Sequence, residues 1–358
     1  METKIRTLSF KEQKIYVGID VHLKSWTVAI LLENIFYRKF RQNPSAAELG
    51  RYLRKHFPDG SYYSVYESGF CGYSVHRELE SEGIHNIIVN AADIPTTDKE
   101  RKQKEDGRDS LKLAKSLRSG DLTGIYIPQT STIEFRGLVR FRKTTVKEIS
   151  RNKSRIKSYL HFNGIAIPSE LDGASKYWSE RFSQWLSIVK LSTSEGQMVL
   201  NKTLENVHHL RGQLLEINRV LRGMINQGKY ARSLQLLMGI PGIGFISAVT
   251  LLSELEDINR FGNLDRFCSY VGLVPSTRSS GETENIAGIT PRTNNHLRTV
   301  IMECAWISIR QDPALALRFT ELCKRMKKNE AIVRIAKKLL NRIRYVMKNK
   351  TEYVNAVA

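Results

Sequence analysis

The clearest indication of the fold comes from KIYVGIDVHLKSWTVAILLENIFYRKF, residues 14–40. It holds three short β-type runs: KIYVGIDV (14–21), WTVAILL (26–32) and IFYRKF (35–40). Polar connections of two to four residues separate them. Short strands joined by short polar turns are typical of antiparallel hairpins. The stretch therefore predicts a three-stranded meander.

The residues that follow predict alternating helices and strands. Ser45 and Glu48 form a capping-box pattern that opens a helix ending near Phe57. The later elements are a strand at YYSVYE (62–67), a helix at 73–82, a strand at NIIVN (86–90) and a helix at 106–117. Three strands and then alternating helices and strands is the order of a ribonuclease-H-like, or RuvC-like, α/β domain. We predict this domain over residues 1–127.

The middle segment, residues 128–230, is predicted to be helical and basic. Between Ser131 and Ile165 there are nine Lys or Arg residues against two acids. A second long helix carries a heptad-like seam, formed by Leu200, Thr203, Val207, Leu210, Leu214, Ile217, Leu221 and Met224. This spacing predicts a coiled coil and favours a dimer; a helical hairpin within one chain is the alternative.

The last segment, residues 231–358, is predicted to be a mainly helical domain. The run LLMGIPGIGFISAVTLLSEL (236–255) resembles a helix-hairpin-helix element. The backbone amides at Gly242 and Gly244 could hold one DNA phosphate in such a turn, although a glycine turn between apolar helices can also serve packing alone. Apolar helical patterns follow at 297–309 and 332–346.

The charge balance indicates a polyanionic partner. Lys and Arg number 56 against 36 Asp and Glu, which gives a net charge of +20. Nucleic acid is the commonest polyanion for such a chain. A membrane partner is not expected, since the N-terminus lacks an apolar signal region and the run Ile240–Leu252 is too short to span a bilayer. We expect a cytoplasmic protein whose four cysteines are reduced.

Four carboxylates are candidate metal ligands. Asp20 and Glu67 end two predicted strands that would be neighbours in a ribonuclease-H-like sheet, and Asp106 and Asp109 share one face at the start of a helix. Clustered carboxylates without His or Cys select Mg²⁺ or Mn²⁺. Taken singly, these acids could be turn or N-cap residues. Glu105 is a competitor for the position of Asp106.

The polar stretch GLVPSTRSSG (272–281) contains more hydroxyl groups than a plain turn requires. A serine hydroxyl there could be a nucleophile if a metal or cation makes the attacked phosphorus more electrophilic, and Arg278 could neutralise a phosphate oxygen. The residues alone favour the plainer interpretation, in which Ser279 and Ser280 cap a turn.

Four motifs together resemble one known family, the DEDD transposases of insertion-sequence family 110. They are G-I-D at 18–20, Y-E-S-G-F at 66–70, K-x-D-x-x-D at 104–109 and G-L-V-P-x-x-x-S-S-G at 272–281. The resemblance spans nearly the whole chain, and the order and spacing of the motifs carry it. One departure is visible, because Pro291 and Thr293 stand where many relatives show Lys and Gly.

The resemblance implies a RuvC-like domain, a coiled-coil connector and a C-terminal transposase domain with a serine nucleophile. It implies that Asp20, Glu67, Asp106 and Asp109 form the acidic tetrad with Mg²⁺ or Mn²⁺, and that Ser280 becomes linked to DNA. It further implies donor and target DNA as substrates, a bridge RNA that pairs with both, and a homodimer or homotetramer.

Two rival functions remain open from the residues. The first is a RuvC-like nuclease in which the metal activates water, so that no covalent adduct forms. The second is a non-catalytic nucleic-acid-binding protein. In each case the basic helix at 136–157 is expected to track a nucleic-acid backbone, with Arg140, Lys143 and Lys147 among the contacts.

Overall fold

The computed structural model describes residues 9–94, 106–226, 228, 230–280, 283–289 and 293–354, and side chains at 106–108, 225–226 and 275–289 are outside the description. The chain divides into two compact units, residues 1–127 and 128–358.

The first unit is a five-stranded sheet with helices on its faces. Its elements, in chain order, are β1 (Lys14–Val21), β2 (Trp26–Leu32), β3 (Ile35–Gln42), α1 (Ala46–His56), β4 (Ser61–Glu67), α2 (Ser74–Ser81), β5 (His85–Val89) and α3 (Asp106–Ser119). The predicted helix start is confirmed, because the Ser45 hydroxyl accepts from the Glu48 amide at 3.2 Å. The predicted mixed α/β character of this segment is confirmed.

The strand order is β3-β2-β1-β4-β5. The first three strands are antiparallel, as the short connections predict, whereas β4 pairs with β1 and β5 pairs with β4 in parallel. Parallel neighbours require a crossover through another element, and α1 and α2 supply those crossovers. The central strand β1 therefore has one antiparallel and one parallel neighbour.

Alternating side chains of β1 face two different layers. Ile15, Val17 and Ile19 are fully buried and join the cluster that includes Leu49 and Leu53 of α1. On the other face, Val65 of β4 and Val89 of β5 pack with Leu113 of α3. Because side chains alternate along a strand, the even-numbered residues of β1 face α3.

The second unit is mainly helical with one hairpin. It contains α4 (Thr130–Phe162), α5 (Glu180–Ile188), α6 (Ser194–Asn226), α7 (Ala231–Met238), α8 (Phe245–Leu255), α9 (Leu264–Val271), β6 (Pro275–Ser280), β7 (Thr283–Ile289), α10 (Asn295–Gln311), α11 (Pro313–Cys323) and α12 (Lys328–Asn349). The expectation of a mostly helical remainder is confirmed.

The heptad-like seam of α6 packs against α4 of the same chain. Arg142 donates to Asn218 at 2.7 Å and Asn206 donates to Asn152 at 3.3 Å, so the two helices run antiparallel. Leu200 of the seam is buried in a core that includes Ile156 of α4, and Leu221 is buried in a second core that includes Val139 of α4. The intrachain helical pair, which the sequence left as the alternative, accounts for that burial. A coiled coil between chains stays a prediction.

The largest core of the second unit lies around α8, α10 and α12. Leu251 of α8, Ile301 of α10 and Leu339 of α12 are fully buried in it. The predicted C-terminal apolar face, from Ile332 to Val346, is buried in the same cluster. All four cysteines are free thiols. Within the described ranges, no helix has the length and apolar character needed to cross a membrane.

Candidate active-site residues

Asp20 and Glu67 lie side by side at the ends of two neighbouring strands. In the parallel register of β1 and β4, Gly18 is paired with Val65 and Ile19 with Tyr66, and the same register continued by one position puts Asp20 next to Glu67. Asp20 comes two positions after Gly18, and Glu67 comes two positions after Val65. Both are therefore on the sheet face that packs against α3. The register thus brings two predicted carboxylates to one edge of the sheet.

Helix α3 lies directly on β1. A Cβ atom built on Gly18 would come within 1.9 Å of the Ser110 carbonyl oxygen and 2.6 Å of the Ala114 nitrogen. A glycine is therefore required at position 18, because any side chain would collide with the backbone of the helix. Ser110 is fully buried in this contact.

The direction of α3 follows from its other end. The Arg118 guanidinium donates to the Asn34 side chain at 2.6 Å, and Asn34 lies in the β2–β3 turn beside the start of β1. Since Ser110 lies over the middle of β1, α3 runs antiparallel to that strand. Its first turn, with Asp106 and Asp109, points toward the end of β1 that carries Asp20.

The four predicted acids are described to different degrees. Asp109 is half-buried, Glu67 is exposed and the Asp20 side chain is 21% exposed. The backbone of Asp106 begins α3, but its side chain is outside the description, and Glu105 lies outside the described residues altogether. Among the side chains that are described, no group of three or more His, Cys, Asp or Glu residues is arranged to hold a metal ion.

His22 is a neighbour of Asp20 that sequence reasoning passed over. Its Nε2 lies 3.1 Å from an Asp20 carboxylate oxygen, and the His22 side chain is 51% exposed. The only sequence signal was its position two residues after the aspartate. A cation bound by Asp20 would compete with this imidazole for the carboxylate.

The serine-rich stretch forms a strand of the β6–β7 hairpin. In the antiparallel register, Arg278 is paired with Asn285, Ser279 with Glu284 and Ser280 with Thr283. Ser280 is therefore the last residue of β6, next to the two-residue connection at 281–282. The side chains of Arg278, Ser279 and Ser280, and residues 281–282, are not part of the described structure.

The glycine turn before α8 is packed rather than open at Gly242. This residue has φ +89°, its N–H donates to the Gln311 side chain at 2.8 Å, and a Cβ there would lie 2.4 Å from the Ser308 hydroxyl. Gly244 is the N-cap of α8, has no side-chain cap, and a Cβ there would meet nothing within 4 Å. The two predicted phosphate contacts thus have different surroundings.

The three basic residues predicted to contact a nucleic-acid backbone also differ in their surroundings. Arg140 holds Glu254 with two hydrogen bonds, Nε to Oε1 at 2.7 Å and Nη2 to Oε2 at 2.9 Å. Burial, and next the charge of Lys147, lower the pKa of Lys143. Lys147 itself is exposed. Lys147 is therefore the residue of the three whose position best suits a phosphate contact.

Two family models match this chain. A DEDD transposase model of the IS110 type, described as "Transposase", matches residues 17–163. A model described as "Transposase IS116/IS110/IS902 family" matches residues 234–320. The first covers most of the sheet with α3 and α4, and the second covers the glycine turn and the β6–β7 hairpin.

Curated relatives agree with the models. A putative transposase of Sinorhizobium fredii is 30% identical over 244 residues, which are 68% of this chain and 58% of that protein. A second one from the same organism is 29% identical over 326 residues, with 82% and 79% covered. The transposase for insertion sequence element IS1533 of Leptospira borgpetersenii is 24% identical over 307 residues, with 82% and 85% covered.

The chain has an α/β unit with acids at one sheet edge and a helical unit with a hairpin. Together with these matches, the two units define a transposase, which is an enzyme that acts on DNA. More narrowly, the chain belongs to the IS110 family of DEDD transposases. The family membership agrees with the resemblance that the sequence motifs carry.

Proposed function

We propose that this chain moves an insertion sequence by cutting and rejoining DNA through a covalent serine–DNA intermediate, in an acidic site that holds Mg²⁺ or Mn²⁺. The observation that carries the proposal is the placement of Asp20, Glu67 and the first turn of α3 at one edge of the sheet. The strand order of this sheet supports the ribonuclease-H-like assignment.

The residues fit a hard divalent cation. Asp20, Glu67, Asp106 and Asp109 would hold it through carboxylate oxygens, the ligands that Mg²⁺ and Mn²⁺ prefer. When bound, such an ion would neutralise the negative charge that develops on the scissile phosphate. Without a cation, converging carboxylates repel one another, so the cluster by itself gives a fold no advantage.

Ser280 is the proposed nucleophile. Its hydroxyl oxygen forms a bond to phosphorus, the bond from phosphorus to one deoxyribose oxygen breaks, and the released oxygen takes up the proton. One phosphodiester is exchanged for another, so a second strand can later attack the serine ester without a high-energy cofactor. Arg278, two residues before Ser280 on β6, would neutralise a phosphate oxygen.

The proposal includes the partners that the family resemblance implies. Donor and target DNA are the substrates, an element-encoded bridge RNA pairs with both, and the chain works as a homodimer or homotetramer in the cytoplasm. The net charge of +20 supports a nucleic-acid partner, since each contact to a phosphate releases counterions. Gly244 at the start of α8 and Lys147 on α4 are proposed backbone contacts.

The test is a search for a protein–DNA adduct. The full-length protein is incubated with Mg²⁺, donor and target DNA and RNA from the flank of the element, and the products are separated under denaturing conditions. We expect an adduct that mass spectrometry maps to Ser280, that Ser280→Ala abolishes and that Ser279→Ala retains. An adduct that survives Ser280→Ala and is lost with Ser279→Ala would assign the other hydroxyl.

Two further outcomes would overturn the proposal. Cleaved DNA with free ends and no adduct would indicate the RuvC-like nuclease that uses water. DNA processing that is unchanged in Asp20→Ala would indicate that the acids have no catalytic part. Omission of the RNA tests the guide separately, because a protein that needs it should not recombine DNA alone.

A further inference from the structure

Glu254 is a buried carboxylate in an otherwise apolar helix. Its side chain is 1% exposed and lies in the last turn of α8. Two arginines of α4 contact it: Arg140 donates two hydrogen bonds, one to each carboxylate oxygen, and Arg136 has its Nε 3.6 Å from Oε2. Burial raises the pKa of Glu254, but hydrogen bonds from Arg140 and Asn294 and the charges of both arginines outweigh burial, so the pKa lies below its ordinary value.

Glu254 has a fourth contact, with a residue that follows the hairpin in the chain. The Asn294 side-chain amide donates to Glu254 Oε2 at 2.8 Å. The Oδ1 atom of the same Asn294 accepts from the amides of His296 and Leu297, each at 3.1 Å, and so caps α10. Asn294 follows β7 by five residues, so this contact fixes the chain where it leaves the hairpin.

The chain that enters the hairpin is held at the same place. The Asn294 N–H donates to the Tyr270 carbonyl at 3.1 Å, and the Tyr270 hydroxyl donates to the Glu254 carbonyl at 3.3 Å. Gly272 has φ +80°, and a Cβ on it would lie 2.2 Å from the Thr293 Cβ. The segments before β6 and after β7 therefore meet beside Glu254.

A two-stranded hairpin needs such a fixed base. Two strands alone are marginally stable in water, and β6 and β7 are the two members of their sheet within the described residues. A nucleophile must be held close to its productive position, since a displacement of about 1 Å can cost on the order of 100-fold in rate. Whatever fixes the base of this hairpin therefore sets where the end of β6 lies.

We propose that Glu254 and Asn294 form a positioning pair that fixes the base of the β6–β7 hairpin to α4 and α8, and thereby holds Ser280 for attack. The part that concerns Ser280 rests on the proposed function. Neither residue needs to touch DNA in this role. The carboxylate supplies two acceptor atoms, one directed to α4 and one shared between α4 and the exit of the hairpin.

The test uses Asn294→Asp in the full-length protein. An aspartate keeps the oxygen that caps α10, but it removes the amide donor and sets a second carboxylate against Glu254. We expect faster amide hydrogen exchange in β6 and β7, unchanged exchange in the cores of α8 and α12, and adduct formation slowed by at least ~10-fold.

The matched control is Asn263→Asp. Asn263 caps α9 by accepting from the Arg266 amide at 2.9 Å, so the same chemical change is made at another helix start. Exchange in the hairpin and the adduct rate are expected to stay at wild-type values there. If Asn294→Asp behaves like this control, the positioning pair is disproved.

A reciprocal exchange separates positioning from general destabilisation. Glu254→Gln combined with Asn294→Asp swaps donor and acceptor across the same hydrogen bond. Since Glu254→Gln also weakens the contact with Arg140, both single variants are measured beside the double variant. We expect the loss of hairpin protection in the double variant to be smaller than the sum of the losses in the two single variants. Losses that add in full would overturn the proposal. If Asn294→Asp loosens the hairpin but the wild-type protein forms no adduct, the positioning pair stands and the proposed chemistry fails.

Discussion

Gly18 of β1 lies against the backbone of Ser110 in α3, so closely that a methyl group at position 18 would be 1.9 Å from the Ser110 carbonyl oxygen. Backbone atoms cannot turn away as a flexible side chain can. This contact sets the height of α3 above the sheet. It therefore sets where the two aspartates of the first helical turn lie relative to Asp20.

Gly18→Ala is expected to lower the free energy of unfolding by about 1–3 kcal/mol or more, because the added methyl group must push α3 off β1. Chemical denaturation of the full-length protein measures the change. Gly212→Ala is the control: a Cβ there meets nothing within 4 Å inside α6, and it should stabilise by about 0.8–1 kcal/mol. If Gly18→Ala is as stable as the wild type, α3 does not lie as close to β1 as the structure shows.

Mg²⁺ or Mn²⁺ is expected to stabilise the wild-type protein but not Asp20→Asn. A cation at 100 times its dissociation constant adds about 2.7 kcal/mol to the folded state, and the variant lacks one of the proposed ligands. Thermal melts with and without the cation measure this, and chelator should reverse it. Glu78→Gln removes an exposed charge on α2 and should keep the wild-type response. If the cation raises the melting temperature of Asp20→Asn as much as that of the wild type, Asp20 is not a ligand of the cation.

Stability is expected to fall at acid pH because of two buried carboxylates, Glu254 and Asp312. Asp312 is the N-cap of α11 and contacts Arg342 and Tyr353. Burial opposes the charged form of each, but hydrogen bonds and arginine charges outweigh it and hold both pKa values below their ordinary range. Carboxyl groups with a lowered folded-state pKa stabilise the protein above about pH 4 and lose that contribution as pH falls further. Urea denaturation from pH 7 to about pH 3 measures the slope.

Glu254→Gln is expected to flatten that acid slope and to lower stability at pH 7. Removing one partner of a buried ion pair typically costs about 3–5 kcal/mol. The Arg140 side chain is 44% exposed and can turn to water, so the loss should be at or below the lower end of that range. An unchanged slope in this variant would show that Glu254 does not carry the acid sensitivity.

Gly272→Ala is expected to destabilise the base of the β6–β7 hairpin. Its φ of +80° costs a residue with a side chain about 1–2 kcal/mol, and the overlap with Thr293 adds to this. Differential scanning calorimetry and hydrogen exchange in β6 and β7 measure the effect. Gly137→Ala, where a Cβ meets nothing within 4 Å, is the control and should not loosen the hairpin. If the amide protons of β6 and β7 exchange as slowly in Gly272→Ala as in the wild type, close packing at Gly272 does not stabilise the hairpin.

Substitutions of Arg140 and Lys147 are expected to differ in their effects on stability and on nucleic-acid binding. Lys147→Ala is expected to leave stability unchanged and to reduce the slope of log affinity against log salt by about 0.7–0.9, the value for one lost phosphate contact. Arg140→Ala is expected to lower stability, because Glu254 loses its two-hydrogen-bond partner. Affinity titrations at several salt concentrations measure both. A wild-type slope in Lys147→Ala would exclude that phosphate contact.

Much of the first unit could be predicted because its signals are local. The alternation in β1, the capping box at Ser45 and the short polar turns each act within a few residues, and the structure has these elements where the patterns predicted them. The candidate acids could be named from their positions at strand and helix ends.

The base of the hairpin could not be predicted in this way. Glu254 is separated from Arg140 by 114 positions and from Asn294 by 40, so no local pattern joins them. One signal was present, since an acid inside the apolar run AVTLLSEL needs a buried partner. The partner itself could not be read from that signal.

The strands and helices, the basic charge and the family motifs can be read from the sequence, because they depend on side-chain pattern and composition along short stretches. The sequence also predicted that the strands of Asp20 and Glu67 are neighbours. Their register, the contact of α3 with Gly18 and the pairing of Glu254 with Asn294 came from the folded chain alone. These features depend on close backbone packing and on the burial of a charge among residues that are distant in the sequence.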